Sequence, residues 1–285
     1  MDVIETAACL NCDRPLTGPY CASCGQKRRD TDLTLRGFLH ETTHELTHWD
    51  GKVPSTLKAL FFRPGLLTLD FLAGRRARWL SPLRLYLICS LAFFVSKPLA
   101  EAITHRSGRE MAKITITNPD GSTTLTPEVL RELEAGVPAR VFGRDRLVRA
   151  ALNNAQLNRE IDAVLPKALF ILLPIFALLT MLAWRRRMPR YPAHLYLALH
   201  VHSAWFGALA VLTIFGAFFT STAVVSLVGA AVLAYVVGYG VLAVHRIFGD
   251  SWVKTIAKAV AISIAYSLCL FASSLALLAY ALMRM

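Results

Sequence analysis

The chain is short of charge. Asp, Glu, Lys and Arg make up 18% of its 285 residues, against about 25% in an ordinary soluble domain. The deficit is uneven. Residues 1–82 carry 11 Lys and Arg and 9 Asp and Glu, a normal polar balance. Beyond them, no acidic residue lies well inside any of the four C-terminal apolar segments. That absence argues against an ion-coupled transporter, whose coupling usually needs Asp or Glu at membrane depth. Residues 1–8, MDVIETAA, have no basic residue and no apolar core. They do not read as a signal peptide, so the front end is expected in the cytosol. Residues 100–164 contain no cysteine pair, no Gly-rich phosphate cradle and no nucleophile motif.

What fills the sequence instead is hydrocarbon. Hydrophobic residues reach 55% and mean hydropathy is +0.46. The excess falls in runs too long for soluble core helices, which excludes a soluble enzyme, a disordered tail protein and a disulfide-stapled secreted domain. Five spans are expected, at residues 82–99, 165–184, 195–219, 222–244 and 256–282. The first is the weakest, because its uninterrupted run between Arg84 and Lys97 is short; both side chains can snorkel outward. The net charge is +12, but the excess sits beside these runs, where basic residues are topology signals. Nucleic-acid binding is therefore not expected. With the amino terminus inside, eleven basic residues fall at cytosolic edges and three at outer ends. This favours five spans and an outer carboxyl terminus. If the first segment were re-entrant, four spans would remain and residues 100–164 would be cytosolic. In that loop, residues 113–126 read as a β-hairpin around Asn-Pro-Asp-Gly, with helices at 128–135 and 146–163.

Cysteine chemistry is concentrated at the front. Cys9-x2-Cys12 is followed by Cys21-x2-Cys24, with Gly18 and Pro19 between the pairs and Gly25 directly after. Two CxxC pairs suit one tetrahedral zinc, since each forms a tight knuckle that brings its thiolates together. A redox pair or disulfides are the alternatives, and a cytosolic location disfavours stable disulfides. Four thiolates leave no coordination position open, so the site is structural, and metal binding must supply most of the folding free energy of about 25 residues that cannot bury a core. Cys89 and Cys269 lie in apolar runs and read as packing residues.

Next comes a His-rich stretch. His40, His44 and His48 are spaced by four and would share one helix face. Two overlapping HExxH strings, His40-Glu41-x-x-His44 and His44-Glu45-x-x-His48, raise a metalloprotease reading. The motif is short and lacks a nameable third ligand. A second, non-catalytic metal site and a plain amphipathic helix are the other readings. Residues 54–72 are apolar but interrupted at Lys58, Arg63-Pro64-Gly65 and Asp70. Two short amphipathic helices lying in the interface fit them, with Pro64 ending the first and Gly65 turning the chain. Arg75, Arg76, Arg78 and Trp79 then form the cytosolic flank of the first span and are expected to anchor lipid headgroups. His194, His200, His202 and His245 gather toward the cytosolic ends of the third and fourth spans. They read either as an intramembrane polar path or as histidines hydrogen-bonded between helices. Gly229, Gly238 and Gly240 are expected at close helix contacts.

The order of these features resembles a family. It runs Cys-x2-Cys, Cys-x2-Cys-Gly-Gln, a His-rich helix, Arg63-Pro64-Gly65, and Gly74-Arg75-Arg76-x-Arg78-Trp79-x-x-Pro82. It continues with Leu165-Pro166-Lys167-Ala168-Leu169-Phe170 and His194-Leu195-x5-His200-x-His202. This is similar to the bacterial membrane proteins called DUF3667, over most of the chain except the loop near 100–160. The resemblance implies a multi-pass inner-membrane protein with a cytosolic zinc ribbon, and a His-rich helix in which HExxH is not required. It implies no activity. The expected architecture is a mostly α membrane protein with a zinc ribbon at 1–30, His-rich and interfacial helices at 31–81, and a bundle of about five helices. The expected role is a non-enzymatic scaffold or docking protein, whose ribbon meets a cytosolic protein and whose other partners are membrane lipids. A transporter of a small solute or metal using His200, His202 and His245 is the alternative. The sequence leaves homo-oligomerisation open.

Overall fold

The computed structural model describes residues 8–28, 51–106, 170–219 and 221–284. The His40–His48 stretch, the hairpin expected at 113–126 and the helices expected at 128–135 and 146–163 lie outside these residues. The described chain forms seven helices: α1 Val53–Phe62, α2 Leu66–Leu72, α3 Pro82–Arg106, α4 Phe170–Trp184, α5 Tyr191–Phe218, α6 Thr222–Phe248 and α7 Trp252–Arg284. Among the described residues, β structure is limited to two isolated bridges, Ala8 with Pro15 and Tyr20 with Lys27. Contacts divide the chain into two compact units. One is Met1–Ser107 with Leu173–Ile264, and the other is Gly108–Leu172 with Ala265–Met285. The described part of the second is the first turn of α4 and the distal part of α7.

Four helices, α3, α5, α6 and α7, are long and apolar enough to cross a membrane. The first span, expected to be the weakest, belongs to a helix of 25 residues. It runs on to Arg106, beyond the expected end at Leu99, with Pro98 inside it. The segment expected at 165–184 is described only from Phe170, as a shorter apolar helix. Local chemistry sets the helix ends. Pro82 opens α3 and Pro192 stands in the first turn of α5, where a missing N–H costs no hydrogen bond. At the start of α6 the Ser221 hydroxyl accepts from Val224 N–H at 3.4 Å. Its end is closed by Gly249 at φ 62°, which donates to His245 O at 2.9 Å; the left-handed region is open to glycine at little cost.

Hydropathy alone does not rank the spans, but packing does. Every residue from Pro192 to Ala204 of α5 is buried, so α5 is the central helix, and α1, α2, α3 and α6 pack against it. Phe206 of α5 meets Tyr86, Phe93 and Phe94 of α3, with ring centroids 5.5–6.3 Å apart. By contrast α6 and α7 present Leu227, Leu233, Val237, Val260 and Ile264 outward, all more than half exposed. Such rows are untenable in water and are what a lipid-facing surface requires.

The two short helices fill the notch between α5 and α6. Gly65, at φ 79°, turns α1 into α2. A Cβ there would lie 3.1 Å from the carbonyl oxygen of Ala243, so the turn sits directly on the α6 backbone. The Phe61 ring occupies the space over Gly207 of α5, where a Cβ would come within 2.4 Å of it. Tyr235 Oη donates to Phe61 O at 3.0 Å, and Arg246 donates to Pro64 O at 2.8 Å. Gly229, Gly238 and Gly240, expected at close helix contacts, meet nothing within 4 Å. Their expected role within the chain is corrected accordingly: Gly207 makes the close approach, and sequence spacing did not single it out.

Candidate metal centre and its seat on the hinge

The cysteine segment is built from one knuckle used twice. Cys9 N–H donates to Arg14 O and Asp13 N–H to Cys9 O, both at 2.8 Å. Twelve residues on, Cys21 N–H donates to Gln26 O at 2.8 Å and Gly25 N–H to Cys21 O at 2.9 Å. Asp13 at φ 58° and Gly25 at φ 71° hold equivalent left-handed positions. Glycine suits that conformation, and Asp is among the few other side chains that tolerate it. Each knuckle turns its two sulfurs inward, and the knuckles face each other.

The four sulfurs all lie within 4.8 Å of one another. Cys9 and Cys24 are 3.6 Å apart and Cys12 and Cys21 3.5 Å apart, far beyond the roughly 2.05 Å of a disulfide. A tetrahedron with metal–sulfur bonds of about 2.3 Å has edges of about 3.8 Å, so the spacing fits one metal ion. Electrostatics fit it as well. The backbone N–H groups of Cys24 and Ser23 hold the Cys21 thiol down at about 6, against desolvation. At Cys24 burial opposes ionisation, but Gln26 N–H and the Asn11 side chain donate to the sulfur and lower it. The Cys12 thiol stands at about 12; Arg14 N–H lowers it, and burial together with the other three sulfurs raises it further. Crowded thiols of this kind resist full ionisation until a cation arrives. The buried core of the segment consists only of Leu16, Cys9 and Cys21. Burying one Leu contributes about 1.5–3 kcal/mol, whereas structural zinc contributes about 10–16 kcal/mol to small knuckle folds. A bound ion, rather than this core, would be the term able to hold the segment folded.

The module is seated on the loop that leads into α3. Gln26 Nε2 donates to Gly74 O at 2.8 Å, and its Oε1 accepts from Arg76 N–H and Ala77 N–H, both at 3.1 Å. Arg78 donates to Asn11 Oδ1 at 3.4 Å and to Asn11 O at 3.0 Å. Leu10 closes over Gly74, where a Cβ would come within 2.6 Å of it. From the bundle side, Asp70 holds the same loop. It accepts from Arg75 at 2.7 Å and from the Trp79 indole at 2.7 Å, while the Arg76 guanidinium lies over the Tyr196 ring of α5 at 5.9 Å. The four residues expected to anchor lipid, Arg75, Arg76, Arg78 and Trp79, therefore all have protein partners. Sequence reasoning gave no role to Gln26, Asn11 or Asp70. The Gln directly after Cys-Gly was visible, but nothing local said what it reaches.

The four intramembrane histidines do not converge. His194 bonds Met188 O at 2.9 Å and stacks on Phe248. His200 bonds Thr68 of α2 at 2.9 Å. His202 bonds Ala198 O at 2.8 Å and meets Phe176 of α4 edge-on. His245 bonds Thr255 at 3.3 Å and stacks on Trp252. His200 and His202 are two residues apart, about 200° around the helix, and they face different neighbours. Among the described residues the four cysteines are the one group of at least three ligand side chains close enough to hold a metal. A second buried carboxylate, which the sequence did not flag, ties the basic loops together. Asp250 accepts from Trp184 at 2.9 Å, Arg187 at 2.9 Å and Lys258 at 2.8 Å, and Arg187 also donates to Phe248 O at 2.8 Å.

Residues 50–94 match the model of the family DUF3667, a protein of unknown function. The match supports the resemblance drawn from the motifs. It spans α1, α2, the hinge loop and the first half of α3, so it falls on the part that receives the cysteine module. No curated protein and no solved structure matches the chain.

Proposed function

We propose that this chain is a non-enzymatic membrane scaffold or docking protein of the bacterial inner membrane, crossing five times with its amino terminus in the cytosol. Its cysteine module binds one structural zinc and presents a rigid face to a cytosolic protein. The observation that carries the reading is the seat: Gln26, Asn11 and Leu10 fix the module to the foot of the first span. A docking face must be immobile relative to the membrane to transmit position. The four-sulfur set supports a structural ion, because it leaves no site for substrate or water. Zinc there would fold the module and do no chemistry. Away from the seat, Arg14, Tyr20, Lys27 and Arg28 are exposed and form the outward face. The separate local partners of His194, His200, His202 and His245 weigh against a shared transport path.

Two measurements test the reading. Metal analysis of the mildly purified protein should give about one zinc per chain, and His44→Ala should leave that figure unchanged. Cytosolic proteins captured on membranes bearing the wild-type chain should be lost with Cys9→Ser plus Cys12→Ser. A partner set that survives the double substitution would sink docking by the module.

A further inference from the structure

Gln26 and Asn11 each touch the cysteine cluster with one group and the hinge with another. Gln26 donates its backbone N–H to the Cys24 sulfur and accepts Cys21 N–H on its carbonyl, while its side chain takes three backbone groups of residues 74–77. The Asn11 side chain donates to the Cys24 sulfur while its oxygens receive Arg78. The hinge in turn touches the centre of the bundle. Arg76 lies over Tyr196 of α5, and Leu80 N–H donates to Thr56 of α1 at 3.2 Å. No other part of the described chain links the metal ligands to the spans so directly.

We propose that the hinge at residues 74–78 reads the metal occupancy of the cysteine module, latched by Gln26 and Asn11 when a zinc-like divalent ion is bound and released when it is lost. The proposal rests on the module being a metal site. The physical reason is the thin core. With Leu16 as its one buried residue besides cysteine, the module loses its fold when the ion leaves. Gln26 and Asn11 then lose their positions, since the knuckle backbone is what places them. Gln26 Oε1 accepts from the amides of both Arg76 and Ala77, so its departure removes that shared acceptor from the hinge backbone. Release is confined to the hinge, because α3 from Leu85 onward keeps its own ladder and its packing on Phe206. The change at the switch is thus the loss of one side-chain clamp, and the element it biases is the loop between two buried anchors, Asp70 and Tyr196.

Hydrogen exchange read by mass spectrometry on the full chain in lipid nanodiscs tests this, with metal content measured on the same samples. Chelation should remove the bound metal and accelerate exchange at Arg76 and Ala77 about tenfold or more, with residues 85–96 of α3 unchanged. Gln26→Ala keeps all four cysteines and should show the same acceleration with its metal still bound, which also covers the case in which the chelated protein precipitates. Equal exchange at Arg76 and Ala77 before and after chelation would overturn the latch while leaving the metal site standing. So would a metal-loaded Gln26→Ala variant with wild-type exchange. A chain that neither carries metal nor takes up added zinc would sink the metal site itself, and the latch with it.

Discussion

Asp70 and Asp250 solve the same problem at two places. Each is a buried carboxylate that accepts from a Trp indole and an Arg, and each ties a basic loop to a helix end. At Asp250, the Lys258 ammonium and then Trp184 and Arg187 hold the carboxyl below the usual carboxylate range, against desolvation. A folded value below the unfolded one of about 3.9 means that this group stabilises fully above the unfolded value. The stabilisation is lost as pH falls through the lowered folded value. Thermal unfolding of the detergent-solubilised protein should therefore show an acid limb below about pH 4. Asp250→Asn should be less stable at pH 7 and lack that limb; an identical pH profile would show that Asp250 does not supply it. Gly74 is another residue whose identity is forced. It stands at φ 78° under Leu10. Gly74→Ala should cost about 1–3 kcal/mol from backbone strain and the displaced Leu10. Leu10→Ala in addition should recover the packing part and leave the strain part, as read from melting temperatures.

At the scale of elements, α1 and α2 behave as a wedge rather than as a mere connection. The sequence shows two short apolar segments broken at Pro64-Gly65. What makes them structural is the pairing of Phe61 with Gly207 and of Gly65 with Ala243. Overfilling that notch should separate the wedge from α5. Gly207→Ala is expected to destabilise by about 1–3 kcal/mol, and Phe61→Leu in the same chain to restore most of the loss. Unchanged melting in Gly207→Ala would mean the wedge shifts freely. Thr68 matters in the same joint, because it hydrogen-bonds the buried His200 ring. Thr68→Val should lower stability by about 1–3 kcal/mol, the penalty for leaving a buried polar atom without a partner.

At the scale of the whole molecule, the contacts gather the basic loops at one end of the first unit. Arg78 reaches Asn11, Arg246 reaches Pro64, and Arg187 reaches Phe248 and Asp250. Single cysteines placed at Arg186 and Val253, both exposed, should label with an impermeant maleimide from the same side of a sealed vesicle. A cysteine at Phe219 should label from the other side. Labelling of 186 and 253 from opposite sides would break the proposed topology. The metal centre adds a second global measurement. With Cys12 held up at about 12 and Cys21 down at about 6, the metal-free cluster carries protons that a cation must displace. The heat of zinc binding should therefore vary with the ionisation enthalpy of the buffer; heat independent of buffer would mean the thiols are already ionised.

Composition, run length and cysteine spacing were enough to establish a mostly helical membrane protein with a four-cysteine knuckle pair at its front. Those features are local: a run of apolar side chains fixes its solvent, and a CxxC pair fixes its own turn. Spacing also placed the break at Gly65, because only a glycine at a positive φ turns one short helix so sharply into the next. Which helix is central, why Gly207 and not Gly229 is a contact, and how Gln26 meets residues fifty positions away were decided by the tertiary structure alone. The physical reason is that spans of similar hydropathy are interchangeable to the sequence. Polar side chains such as Asn11, Gln26, Asp70 and Asp250 acquire their roles only from partners that folding brings within 3.5 Å.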